Sequence, residues 1–529
     1  MMSVNSFRIH NLRSIEDSGE IELKPITILV GHNSSGKSSF ARVFPLLRQS
    51  AEATKRGPIL WWGRLVDFGS FSEAINRHSE EKEIGIDFKV SFDARDISGA
   101  TTRTRERLSI IETLEPGVLD ICVRIRNGKD GSYTSGISLS VFDFHANWSL
   151  DEQGLATEIK SGAFSWKPSN QLICYGVQDS LMPNPTFFKQ TGKAGDKVWE
   201  GYDPFSEDLQ STIRRFVHGK TGNDRVYLLA NRVPIGPRKK VFDKLLQIAN
   251  PPTFRELLTE HGPDSSDFMR LYDLSFLSRL NFLLTQARRS LDSFLKNVLY
   301  VEPLRATAQR YYRQQSLDVG EIDSKGANIA MYLDSLSARE LSDFQNWTAK
   351  HFGIMVASKK EGGHISLTIQ HLHGEARTNI ADMGFGFSQM LPIAAQLWAV
   401  GASRATEMLN RRKAGQSLVV IEQPELHLHP DYQAKLADVF VAAIGEQADN
   451  FSPLPSTRLQ IIAETHSPFL INRLGALIAD KVVEKEHIQV LLFEQDDLRS
   501  SSQVRVTEFD DDGILRNWPL GFFEPLSRS

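Results

Sequence analysis

Cysteine is nearly absent from this chain. Its 529 residues hold two, Cys122 and Cys174. Two thiols so far apart cannot frame a disulfide-stapled domain or a zinc ribbon, and their scarcity suits a reducing, cytoplasmic setting. An excess of one charge is missing too: 61 Lys and Arg stand against 65 Asp and Glu, a net of −4. That balance excludes binding of nucleic acid through bulk positive charge, although a local basic groove stays possible. No apolar run approaches the roughly 20 residues that cross a bilayer, and the opening MMSVNSFRIHNLRS has no apolar core of a secretory leader. Internal repeats, low-complexity tails and sustained heptads are also missing, which excludes solenoids and long coiled coils. What is present, 41% hydrophobic and 24% charged residues, is ordinary for a folded chain of two to four domains' worth of sequence.

The sequence reads as α/β. Phe7-Arg8-Ile9, Ile21-Glu22-Leu23 and the β-branched Ile26–Val30 are strand-like, the last in the manner of a strand buried on both faces. Ser39–Leu47 predicts a helix that Pro45 should kink or shorten. From Glu83 to Trp166 alternating runs, with turn signals at Asn127-Gly128 and Asp130-Gly131, predict an antiparallel meander attached to the first sheet. Residues 205–300 turn helical, and 183–267 carry many prolines, as in an insertion of loops and short helices. Strands return at Leu418–Ile421, Leu459–Ala463 and His487–Phe493. The expected division is 1–170 for an N-terminal lobe, 171–295 for the insertion and 296–529 for a C-terminal lobe.

Gly31-His32-Asn33-Ser34-Ser35-Gly36-Lys37-Ser38 fits G-x-x-x-x-G-K-[ST], follows a strand and opens a helix. Gly31 and Gly36 let the backbone wrap, so that the N–H groups of Asn33, Ser34, Ser35 and Ser39 can join those of the motif around phosphate. The helix N-terminus adds positive potential. Lys37 can reach the outer phosphates of ATP, and the Ser38 hydroxyl can ligate Mg²⁺.

Such a loop needs a carboxylate on another strand. Leu418-Val419-Val420-Ile421 ends in Glu422, the candidate Mg²⁺ carboxylate. Gln423 follows; it can orient a water but cannot accept its proton, so Glu425 is the candidate substitute base. His466, in Thr465-His466-Ser467-Pro468 after the next apolar strand, can hydrogen-bond a γ-phosphate. Asp382–Pro392 is a glycine-spaced loop before an apolar helix, Ile393–Val400, whose Gly386, Ser388 and Gln389 suit a second anion nest.

The order of these motifs resembles the ABC/SMC-like ATPases, in the AAA family branch related to the overcoming-lysogenisation-defect proteins. The carrying residues are the phosphate loop, the Gly384–Gln389 loop, Ile421-Glu422-Gln423-Pro424-Glu425-Leu426-His427-Leu428-His429-Pro430 and Glu464-Thr465-His466-Ser467-Pro468. Phe7–Ser14, Tyr300–Arg305 with Arg310-Tyr311-Tyr312, and the ending Asp512–Phe523 are similar to that branch as well. The resemblance implies a bilobed head whose halves are far apart in sequence. It implies that heads pair, with ATP between the phosphate loop of one chain and Gly386, Ser388 and Gln389 of another, and with Leu426–Pro430 along the seam.

Three departures from that pattern predict slow turnover, or ATP held as a clamp. Glu422 replaces the usual Asp, Gln423 replaces the usual catalytic Glu, and Phe68-Gly69-Ser70-Phe71 occupies the region of the usual Gln lid. Only 63 residues follow His466, with Asp510–Asp512 the one acidic run, so nuclease chemistry is expected in a partner. The architecture is similar to the ATPase subunits of Septu anti-phage systems, the PtuA family, some of them coupled to retrons. Expected partners are a second copy in a head-to-head dimer or higher even oligomer, an HNH-type nuclease subunit, and a retron reverse transcriptase with its RNA or DNA. Two other readings share the motifs: a DNA-repair or DNA-maintenance ATPase that clamps nucleic acid, and an ATP-dependent scaffold that does not hydrolyse.

Glu425, His427 and His429 alternate, and an extended segment would place them together as for a metal, although the run is also the family's own E-L-H-L-H-P. Short basic clusters occur at Arg103–Arg107, Arg214-Arg215, Arg238-Lys239-Lys240, Arg305–Arg313 and Arg411-Arg412-Lys413. They are candidates for nucleic-acid contact or for solvated faces.

Overall fold

The computed structural model describes residues 2–93, 114–162, 164–169, 171–191, 198–248, 252–314, 319–372, 374, 376–402, 415–445, 459–496 and 501–517. The basic clusters at 103–107 and 411–413, and the tail from 518 onward, lie outside them. Strands β1 (Ser3–Leu12), β2 (Ile15–Asp17), β3 (Ile21–Glu22) and β4 (Ile26–Gly31) open the chain. Next come β5 (Glu83–Phe92), β6 (Gly117–Gly128), β7 (Gly131–Val141), β8 (Phe144–Leu150), β9 (Ala156–Ser161) and β10 (Phe164–Trp166). A small sheet follows, β11 (Leu172–Tyr175), β12 (Thr186–Thr191) and β13 (Val198–Gly201). Then come β14 (Val298–Val301), β15 (Tyr312–Arg313), β16 (Ile354–Glu361), β17 (His364–His371) and β18 (Thr378–Asn379). The last four are β19 (Ser417–Glu422), β20 (Leu459–Glu464), β21 (Ile488–Asp496) and β22 (Ser501–Thr507).

One mixed sheet unites the two ends of the chain, in the order β10-β9-β8-β7-β6-β5-β1-β2-β22-β21-β4-β20-β19-β14. Its block β21-β4-β20-β19-β14 is parallel throughout. Parallel strands are buried on both faces, which is why β4, β19 and β20 read as continuous apolar runs. Alternate residues feed two separate cores. Ile28, Val30, Val419, Ile421 and Ala463 face helices Phe385–Ala402, Pro430–Gly445 and Pro468–Ala479. Leu29, Leu418, Val420, Ile462 and Phe493 face helices Lys37–Glu52 and Leu280–Lys296.

The helix Lys37–Glu52 is pinned by aromatic packing. Phe40 lies 5.9 Å from Phe7, 6.0 Å from Phe44 and 5.8 Å from Phe493, ring centre to ring centre. Of the two effects expected of Pro45, shortening is not seen: the helix runs on to Glu52 and contains Pro45. Leu46 to Ser50 are buried beyond it, and Arg48 donates to the Val298 carbonyl (2.7 Å) and bidentately to Glu321 (2.6 Å each). These contacts offset the hydrogen bond that proline forfeits.

The meander β5–β10 is present and antiparallel. Its β8 alternates buried and exposed, as a one-faced strand should, and Phe144 stacks on Phe276 of helix Ser266–Leu277 at 4.7 Å. The β6–β7 hairpin turns at Lys129-Asp130, with Gly128 opposite Gly131, rather than at Asn127-Gly128. Asn127 is a ladder residue paired with Ser132. Residues 171–295 hold more than loops and helices. They begin with the sheet β11–β13, and their buried Phe205, Phe268 and Leu283 belong to the same core as the meander. The longest described helix, Phe385–Ala402, has 18 residues, so no long coiled coil is present among the described residues. No described helix is long and apolar enough to cross a membrane. Both cysteines carry free thiols, that of Cys174 fully buried.

Phe40 is fully buried where the helix meets the sheet, so Phe40→Ala should cost about 3–5 kcal/mol, read as a shift in the urea unfolding midpoint. The larger-to-similar change Phe40→Leu should cost less than half as much.

Candidate functional site

The C-terminal ends of the parallel strands converge on the N-terminus of helix Lys37–Glu52. β4 ends at Gly31, β19 at Glu422 and β20 at Glu464. At Gly31 φ is 152° and at Gly36 it is 94°. A Cβ at Gly31 would run into the Phe493 carbonyl, and one at Gly36 would stand 2.7 Å from the Ser14 hydroxyl. Only glycine serves at either position. A cleft of about 450 Å³ opens above the helix, lined by Ser14, Asn33, Ser34, Ser35, Gly36, Lys37, Ser38, Ser39, Gln423, Glu464 and His466. Phosphate-loop residues and two strand ends more than 380 positions away thus share one wall.

Lys37 is buried, and its ammonium donates to the carbonyls of Gly31 (3.0 Å) and His32 (2.7 Å). Burial lowers its pKa, against the attraction of Glu464 and Glu425. Burial also lowers the pKa of His466, helped by the positive charge of Lys37 and by His32. His466 is therefore held toward the neutral imidazole, which can both donate and accept a hydrogen bond.

The carboxylates are arranged differently from the sequence expectation. Glu422 and Glu464 are register partners on adjacent parallel strands, so both project toward the helix Lys37–Glu52. Glu422 does not line the cleft. Arg42 grips it bidentately (Nε to Oε1 and Nη2 to Oε2, 2.7 Å each), and the Tyr300 hydroxyl donates to Oε1 at 2.7 Å. The carboxylate beside the loop serine is Glu464: Ser38 Oγ donates to its Oε1 at 3.0 Å. Glu464 Oε2 is buried without a hydrogen-bond partner. Burial, and then the negative charge of Glu422, push the Glu464 carboxyl up to about 7. The Ser38 hydroxyl and an unmatched carboxylate oxygen are the hard oxygen donors that Mg²⁺ prefers, so the cleft fits the ion. Sequence reasoning passed over Glu464, although it is the first residue of the E-T-H-S-P run and sits level with Glu422.

Gln423, with φ of 44°, lines the cleft, and its N–H donates to the Glu464 carbonyl at 2.8 Å. Glu425 does not line it. Its Oε2 accepts from Thr465 Oγ1 (2.8 Å) and its Oε1 from the His466 N–H (2.7 Å). This carboxylate ties the turn after β19 to the turn after β20, and burial raises its pKa against those hydrogen bonds.

Gly386, Ser388 and Gln389 are not brought to this cleft. The helix already begins at Phe385, earlier than the glycine spacing predicts, and takes all three into its first turns. Ser388 Oγ donates to the Phe385 carbonyl at 2.7 Å. The buried Gln389 amide accepts from the Arg305 N–H (3.3 Å) and donates to the Arg305 carbonyl (3.4 Å). In this structure both side chains serve the chain's own fold. Glu425 and His427 fall in a turn over residues 424–427, and His429 lies beyond it, so the three do not alternate along one extended segment. Among the described residues no group of His, Cys, Asp or Glu side chains could hold a metal as a cluster of three. Phe68–Phe71 leads into a short helix capped by Ser70 and Glu73, with the Arg13 guanidinium 4.3 Å above the Phe68 ring.

Two family models match the sequence of this chain. Residues 209–472 match the family described as "AAA domain, putative AbiEii toxin, Type IV TA system", and residues 2–170 match the family described as "AAA ATPase domain". The phosphate loop falls in one match, and Gln423, Glu464 and His466 fall in the other. The chain thus carries AAA-type ATPase sequence on both sides of its cleft. No curated protein matches it. Among solved structures, similarity runs to an SmcHead bound to the C-winged helix domain of ScpA (10% identity, 96% of this chain and 98% of that one, TM-score 0.34). It also runs to the SMC head domain from Thermotoga maritima (8% identity, 95% and 98%, TM-score 0.34).

The Arg42–Glu422 pair gives a direct test. Arg42→Ala leaves a carboxylate buried without its cation and should cost about 3 kcal/mol in urea unfolding. Adding Glu422→Gln to that variant removes the stranded charge and should restore more than half of the loss. Additive effects of the two changes would show that the pair is not coupled.

Proposed function

We propose that this chain is the ATP-binding switch subunit of an antiviral defence system, acting on a partner nuclease. The observation that carries the nucleotide reading is the shared cleft. A glycine-shaped phosphate loop, a buried lysine, a carboxylate and a neutral histidine from two strand ends face one volume suited to phosphate and a divalent cation. The family description that names an AbiEii toxin and a toxin–antitoxin system supports a role in defence. The nuclease partner rests on the sequence resemblance to the PtuA family of Septu systems, where a separate HNH subunit cuts.

The side chains favour slow turnover. Gln423 occupies the cleft at the residue after Glu422 but has no basic oxygen strong enough to take a proton from water. Both oxygens of Glu425 are engaged by Thr465 and His466. ATP then acts chiefly as a ligand that stabilises one state of the head, and its slow loss resets the switch. Some cations of the described basic clusters are engaged within the chain. Arg215 pairs with Asp267 (2.7 Å), Arg238 with Asp264 (3.2 Å) and Lys240 with Glu115 (3.6 Å).

Lys37→Ala should weaken ATP binding by roughly a hundredfold or more, measured by calorimetry; unchanged affinity would remove the site assignment. Gln423→Glu should leave phosphate release as fast as in the wild type or speed it, since it supplies the missing base. An inactive Gln423→Glu beside an active wild type would place the water elsewhere. Co-purification from the native operon tests the partner: a nuclease retained with ATP and lost with Lys37→Ala is expected, and a chain that purifies without one under both conditions refutes the switch-and-effector reading.

A further inference from the structure

We propose that Glu464, rather than Glu422, is the carboxylate that holds the divalent cation of bound ATP, jointly with Ser38. The inference rests on the nucleotide reading above and goes beyond it by assigning the metal site. Glu464 faces the cleft and Glu422 does not. The Ser38 hydroxyl and Glu464 Oε1 stand 3.0 Å apart, the contact made by two oxygen donors that an ion would bridge. Glu464 Oε2 is buried in a residue only 3% exposed, yet no donor meets it. Buried carboxylate oxygens are nearly always satisfied, so an unmatched one in a residue that lines a cleft points to a ligand there. Magnesium suits these groups in chemistry: it takes hard oxygens, usually one or two carboxylates with phosphates and waters.

Glu422 is spoken for. Three hydrogen bonds, two from the planar fork of Arg42 and one from Tyr300, use both of its oxygens inside the protein. Freeing it would strand the Arg42 guanidinium beneath the loop and leave Tyr300 unsatisfied. The register explains why the two carboxylates differ. They are level on neighbouring strands, but β20 adjoins β4 and β19 does not. Ser38 and Arg42 lie one helical turn apart on the same face, so the first meets the nearer strand and the second the farther one. Glu422 then acts as a positioning residue that fixes the helix through Arg42.

The test uses the full chain with ATP, in buffer holding either Mg²⁺ or EDTA, and reads affinity by calorimetry. Manganese retained per chain after gel filtration with ATP is a second readout. The wild type should bind ATP more tightly with Mg²⁺. Glu464→Gln keeps an acceptor for Ser38 and should keep its affinity in EDTA, while losing the gain from Mg²⁺ and about tenfold or more of the retained manganese. Glu422→Gln, which loosens Arg42 and with it the helix, should lower affinity alike in Mg²⁺ and in EDTA, and so keep the gain from Mg²⁺. Should Glu464→Gln fail to fold, Glu464→Asp, one methylene shorter, should need several times more Mg²⁺ for the same gain. A wild-type magnesium response in the folded Glu464 variant overturns the assignment, as does its loss in Glu422→Gln alone. A wild type that binds no ATP in either buffer overturns the nucleotide reading, and this assignment with it.

Discussion

Two carboxylates, Glu422 and Glu464, end adjacent parallel strands in the same register and are almost fully buried. Left alone, such a pair would repel across a medium that screens poorly. The helix Lys37–Glu52 makes the arrangement tolerable by offering Arg42 to one and Ser38 to the other. That division sets the geometry of the head. Matching helix to strands fixes the height of the helix N-terminus above the sheet, and with it the position of the phosphate loop. The aromatic packing of Phe40 and Phe44 beneath supplies the force that holds the helix down; the polar contacts supply its registry.

A second link ties the cleft to the start of helix Phe385–Ala402. Arg305 is buried, and its Nη2 donates to the carbonyls of Glu422 (2.8 Å) and Gln423 (3.2 Å). Its backbone is clasped by the amide of Gln389. One residue therefore contacts both the strand end behind the cleft and the first turns of the helix. Burial lowers the Arg305 pKa to about 10, with Glu425 and Glu422 pulling the other way. The guanidinium stays charged at neutral pH with Nε and Nη1 unmatched. A shift of the β19 end by even a fraction of an ångström would change hydrogen bonds that Gln389 shares, and a packed core passes such shifts on rather than absorbing them.

Much of this was legible in the sequence, and the limits are instructive. The β-branched runs at Ile26–Val30, Leu418–Ile421 and Leu459–Ala463 became the central parallel strands because burial on both faces demands that composition. The phosphate loop was legible because glycine positions and a following helix are local requirements. Glu464 was not. Its importance depends on which strand lies beside β4, and sheet order is a property of the whole chain. Arg42 was hidden for the same reason: on the helix it is one polar residue among apolar ones, and its partner stands 380 positions away. Pro45 does not end its helix because the breaking effect of proline is local, while the contacts of Arg48 and the buried turn beyond it are not. The short strands β11–β13, four to six residues each, lacked the length for a periodic signal.

The near-neutral charge and the burial of the site point the same way. Several cations near the sheet are engaged in internal pairs: Arg42 with Glu422, Arg48 with Glu321, Arg473 with Asp438. Lys37 lies against its own loop carbonyls. A phosphate entering the cleft would meet a lysine that must exchange two neutral acceptors for charged ones, a trade that favours the ligand strongly because charged partners form the stronger hydrogen bonds. It would also meet a histidine held neutral and a glutamine with no proton affinity to match a carboxylate's. Every group that recognises phosphate is therefore poised, whereas among the side chains lining the cleft only Glu464 and the neutral imidazole of His466 can take up a proton. With Glu464 committed to a cation, His466 alone is left for that role, and tight binding with slow chemistry is the behaviour these residues favour.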